Sequence, residues 1–274
     1  MAIKFNPGLI IIVALLISFH SAESFSESVK HQAAGEAAGL DEAWEVLSGY
    51  HKDPHKIKKS IDMTEGILRK DPRNVEALLF LSRLWLTQGY VMTQSREELI
   101  RAFEEGKNTA EKALEIEPEN ADAHFFYVAN LASLGDAKGL FNSLFMLPEV
   151  RRELDMILEL DPGHPEGLAM NGALYYYLPG ILGGDLYISE VYLRRALSVN
   201  PHLSSARIYL AMNLYKQKKY DETKKVLLEL INDKEPSFYP DWYLNRRYAL
   251  KILRQINKEM RKQTAKGSGN EILN

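Results

Sequence analysis

Apolar and polar positions along this chain repeat in blocks that end on proline. Four prolines close similar phrases, LRKDP at Leu68–Pro72, EIEP at Glu115–Pro118, ELDP at Glu159–Pro162 and SVNP at Ser198–Pro201, and Pro236 follows LINDKE. Six, nine and thirteen positions after Pro72 stand Leu78, Leu81 and Trp85; nine and thirteen after Pro201 stand Leu210 and Leu214. Eight and five positions before a proline come Leu154 and Ile157, Leu193 and Ala196, Leu228 and Ile231. Spacings of three and four keep such side chains on one helix face. The small residues Ser82, Gly172 and Ala211 fall where two helices would cross closely. Proline ends each pair, because it lacks an N–H and restricts the residue before it. The pattern predicts helix pairs in series.

Those offsets, with WxxLS at Trp44–Ser48 and AExALEIEP at Ala110–Pro118, resemble the tetratricopeptide repeat over residues 40–236. The resemblance implies an all-α fold, an irregular tetratricopeptide-like α-solenoid of about five helix pairs with a capping helix at Tyr239–Lys262. The expected organisation is a signal peptide at 1–24, a loosely ordered segment at 25–39, the helical domain at 40–262 and a flexible tail at 263–274.

Successive prolines lie 46, 44, 39 and 35 residues apart, against a repeat of about 34. The first helix keeps register with the preceding proline and the second with the following one, so each surplus falls between the two helices of a pair. Two of these insertions are apolar: Gly135–Val150 (GDAKGLFNSLFMLPEV) and Leu178–Leu186 (LPGILGGDL), the latter just after Tyr175, Tyr176 and Tyr177. Connections are ordinarily polar, and leaving a large apolar side chain in water forgoes roughly 1.5–3 kcal/mol. Either these residues pad the solenoid wall, or they line an apolar cavity. In the second case the ligand-binding candidates are Leu140, Phe141, Leu144, Phe145, Tyr175, Tyr176, Leu178, Pro179, Ile181 and Leu182. Eleven of the 14 tyrosines lie beyond residue 170, offering apolar bodies with polar tips.

Gly183–Gly184–Asp185 reads as structure: glycine permits positive φ, and Asp185 is placed to N-cap the next helix. It lacks the Gly-Lys-Ser/Thr ending of a phosphate loop. Together with Leu178, Pro179 and Gly180 it resembles a segment of the periplasmic T component of TRAP transporters. That resemblance implies helices around an apolar pore, a hydrophobic small molecule as cargo and a periplasmic solute-binding protein as partner.

The N-terminus supports export. Lys4, the apolar run Leu9–Phe19 and the small residues Ser21, Ala22 and Ser24 form a signal-peptide pattern cleaved after Ala22 or Ser24. The run falls short of the roughly 20 residues that span a bilayer. A periplasmic location is expected, without a lipoprotein anchor because the chain has no Cys. Membrane contact would then be peripheral, or through an uncleaved signal segment. Zero Cys also removes disulfides and thiolate chemistry. Thirty-four basic against 37 acidic residues, net −3, give no field for nucleic acid.

No catalytic arrangement stands out. Pro54 interrupts the helix that would present His51 and His55 to one metal. No HExxH or GxSxG appears. The expectation is therefore a binding protein with no catalytic residue, metal or cofactor. A generic tetratricopeptide scaffold is the alternative to the transporter accessory, using Arg83, Arg207 and Tyr209 on the leading helices.

Overall fold

The structure, a computed structural model, describes the backbone of residues 34–270 and the side chains of 39–258. The signal peptide assigned to 1–24 lies outside the described residues. Among the described residues eleven α-helices follow one another: α1 Ala34–Leu47, α2 His55–Leu68, α3 Val75–Met92, α4 Arg96–Ile116, α5 Ala121–Lys138, α6 Leu140–Leu160, α7 Pro165–Tyr177, α8 Leu186–Val199, α9 Ser204–Lys216, α10 Tyr220–Ile231 and α11 Tyr239–Asn270. Among the described residues there is no strand, and no helix is long and apolar enough to cross a membrane.

The first ten helices pack as five consecutive hairpins, and α11 caps the last. Local chemistry starts them where the proline phrases end. Asn74 Oδ1 accepts from the Ala77 N–H at 2.9 Å, and Asn120 Oδ1 from Ala123 N–H at 3.0 Å. His164 Nδ1 takes the Gly167 N–H at 3.0 Å, with Pro165 in the first turn of α7. Each satisfies a donor that the helix start leaves open.

The surplus residues lie within the hairpins, but two of the insertions are not loops. α3 and α4 reach 18 and 21 residues and are separated only by Thr93–Ser95; α5 and α6 reach 18 and 21 with Gly139 alone between them. Gly139 turns the chain at φ 98°. The Arg96 guanidinium closes the end of α5, donating to the carbonyls of Ala137 and Lys138 at 2.8 and 2.9 Å. Only residues 178–185 form a true connection, containing a 3₁₀ turn at Gly180–Leu182.

Helices cross closely where side chains are small. The Ser82 hydroxyl donates to Gly106 O at 2.7 Å, and the Asn130 amide donates to Ser82 Oγ at 3.0 Å and to Phe126 O at 2.9 Å. A Cβ on Gly106 would lie 2.1 Å from Asn130 Oδ1.

The core falls into two apolar clusters, one within the first three helices (Leu47, Tyr50, Ile57, Phe80, Leu84) and one through the rest. α11 joins them. Phe238 and Leu244 pack against the first cluster, while Ala249 and Ile256 are buried in the second. No proline follows Pro240, and α11 continues to Asn270, through the start of the tail expected from 263.

Candidate functional site

The apolar insertion residues divide into two sets. Tyr176 and Leu178 are buried in the main cluster, Leu182 packs against it, and Leu144 is half-buried. Tyr175 stacks on Tyr192 with ring centroids 5.7 Å apart. The others face solvent: Phe141 is 86% exposed, Phe145 87% and Ile181 94%, with Leu140 and Pro179 also exposed.

Phe141 and Phe145 stand one turn apart at the start of α6 and so point the same way. The turn carrying Ile181 is pinned to that helix by the Arg151 guanidinium, which donates to Leu182 O at 2.5 Å. Gly183 follows at φ 85°, and Asp185 Oδ1 accepts the N–H groups of Tyr187 and Ile188 at 2.7 and 3.0 Å, starting α8. α8 then exposes Tyr187 and Val191, again one turn apart.

Beneath α6 lies a cavity of about 20 Å³ lined by Ala132, Gly135, Asp136, Ser143, Met146, Leu147, Val150 and Leu174, room for a single water. None of the ligand-binding candidates lines it. Burial pushes the Asp136 carboxyl up to about 6.

α11 packs on α9 and α10 and reaches α3 through Arg83. Arg83 on α3 and Tyr209 on α9 are buried, and Arg207 pairs with Asp233 at 3.0 Å. Around Arg83 the first hairpin meets the start of α11. Its guanidinium lies over the rings of Trp44 and Phe238, 4.8 and 4.6 Å from their centroids, and donates to Asp241 Oδ2 at 3.2 Å. The Tyr50 hydroxyl donates to Asp241 Oδ1 at 2.5 Å. Burial raises Asp241 to about 7, against the opposing pull of Arg83 and of the Tyr50 hydrogen bond; burial lowers Arg83.

On its other side this segment is tied to the last hairpin. The Trp242 indole donates to Leu230 O at 2.8 Å, the Arg246 guanidinium to Ile231 O at 3.0 Å, and the Asn245 amide to Ser204 Oγ at 2.8 Å. Farther along, Tyr248 lies near enough to raise Tyr176 and Tyr177 on α7, though burial is the larger cause. α11 thus crosses the inner layer from α3 to α9. The leading-helix residues expected to form a scaffold's docking groove are covered by the chain itself.

Polar groups elsewhere tie helices together. His124 Nδ1 bonds Glu153 at 2.6 Å, and Glu190 gathers Arg194, Lys219 and Gln217. These contacts hold the Glu190 carboxyl near 2, although burial opposes them. The His51 ring packs on Tyr239 and Tyr243, while Asp53 accepts the His55 N–H. Among the described residues no group of three or more His, Asp or Glu could hold a metal ion.

No curated protein matches this sequence directly. Among solved structures, TTC0263, a thermophilic tetratricopeptide repeat protein of Thermus thermophilus, is similar with a TM-score of 0.60 and 16% identity, covering 78% of this chain and 98% of that one. This establishes the tetratricopeptide-like solenoid. PilF of Pseudomonas aeruginosa gives a TM-score of 0.46 and 15% identity over 84% of this chain and 93% of that one. None of these points to the T component of TRAP transporters. Residues 40–179, just over half of the chain, match the family described as regulator of microtubule dynamics protein 1-3, and the chain belongs to that family.

Proposed function

We propose that this protein is a non-enzymatic docking scaffold that holds a partner protein against the outward apolar face of α6, the Ile181 turn and α8. One observation carries the reading. Phe141, Phe145 and Ile181 are almost fully exposed, whereas Arg83 and Tyr209 on the leading helices are buried. Clustered exposed apolar side chains on a folded surface mark interaction sites, and large aromatics supply most of the energy at such contacts. Replacing Phe141, Phe145 and Ile181 with Ser should abolish partner co-purification from the native cell, with far-UV circular dichroism unchanged. Undiminished co-purification sinks the proposal.

The family name supports a second partner class. Arg247, Lys251, Arg254 and Lys258 are exposed on α11 at spacings of four, three and four, forming one basic stripe that suits an acidic filament such as a microtubule. Co-sedimentation with polymerised tubulin should weaken steeply with salt and disappear when the four are changed to Glu. Salt-insensitive binding excludes the stripe as the contact.

Export would rest on the signal-peptide pattern at 1–24, and association with a TRAP-type solute-binding protein on the Leu178–Asp185 resemblance. Passage of a hydrophobic molecule has less support, since its candidate residues are either packed in the wall or turned outward. A lipid retained by the purified protein in native mass spectrometry would revive it.

A further inference from the structure

The pocket that receives Phe238 and Asp241 is built by the first two hairpins: Trp44 and the turn residue Tyr50 from the first, Phe80 and Arg83 from the second. Its occupant arrives from far along the chain, the Tyr50–Asp241 bond joining residues 191 positions apart. Trp44 stacks on Phe80 at 4.5 Å and meets the edge of Phe238 at 5.6 Å. The Arg83 guanidinium lies over both the Trp44 and Phe238 rings and donates from one terminal nitrogen to the carboxylate three residues on. The pocket therefore selects an aromatic ring and, at a fixed spacing, an acid. Asn232–Phe238, which leads into α11, is non-helical, so no continuous helix fixes the occupant in the pocket, and a buried ion pair recovers little beyond its own desolvation.

We propose that this pocket is a recognition site for protein segments of the pattern aromatic-x-x-Asp, filled here by the chain's own Phe238 and Asp241, so that a partner bearing the pattern competes with α11 for it. This site is separate from the outward apolar face and stands or falls without it.

The test uses a fluorescein-labelled peptide of residues 236–247 and the full chain carrying Phe238→Ala and Asp241→Ala, which keeps the pocket and removes its occupant's two anchors. Fluorescence anisotropy should show binding at least about tenfold tighter to this variant than to the unmodified chain. A peptide with Phe238→Ala and Asp241→Lys should not bind. A helical variant that ignores the peptide, or binds both peptides alike, overturns the proposal. Should the variant lose helicity, hydrogen exchange on the unmodified chain decides. Excess peptide should accelerate exchange at residues 239–246, and unchanged exchange there overturns the proposal.

Discussion

Asp241→Asn separates two opposing forces on one buried carboxylate. Burial disfavours its charge, while Arg83 at 3.2 Å and the Tyr50 hydroxyl favour it, and burial prevails by raising the group from 3.8 to about 7. A carboxyl whose pKa is higher folded than unfolded binds its proton more tightly in the native state. Its contribution to stability is therefore complete below about pH 4 and is lost as pH rises through about 7. At about 1.4 kcal/mol per pH unit, the unmodified chain should lose about 2.5 kcal/mol relative to the variant between about pH 5 and about pH 7.5. Urea denaturation followed by far-UV circular dichroism across that range measures it. Asp136, raised by burial, and His164, raised by its neighbouring carboxylates against burial, titrate in both proteins and cancel in the difference. Parallel profiles would mean that the attraction of Arg83 outweighs burial, refuting the reasoning.

Gly106→Ala should cost about 2–4 kcal/mol in the same assay, because the new methyl displaces Asn130 and breaks its bonds to Ser82 and Phe126; a loss below about 1 kcal/mol would show that α4 and α5 can separate freely. The Ser variant of Phe141, Phe145 and Ile181 should stay within about 1.5 kcal/mol of the unmodified chain, as expected for exposed positions. A larger loss would mean that these side chains support the fold.

The hairpins were legible because proline phrases and three- and four-residue spacings are local signals that tertiary contacts only reinforce. The surplus between prolines was placed in the right part of each hairpin but expected as connections. Only Gly139 interrupts α5 and α6, so most of Gly135–Val150 forms extra helical turns. Which way Phe141 and Phe145 face was not legible. Their spacing puts them on one side of a helix, but periodicity does not say whether that side meets a neighbour or water. The capping role of the last helix could be read from its position. Its return to the first hairpin could not, because a contact across 191 residues leaves no period. One trace existed: Arg83 is the sole charge in Ala77–Ser95, and a lone charge on an apolar helix needs a distant partner.

The central claim, that a protein docks on the outward apolar face, is tested most directly by a photo-crosslinking residue in place of Phe145, irradiated in the native cell. Docking predicts a discrete protein adduct from this position and none from the same residue in place of Ile157, which is fully buried on α6. Absence of any protein adduct at Phe145, or adducts of lipid mass alone, would contradict it.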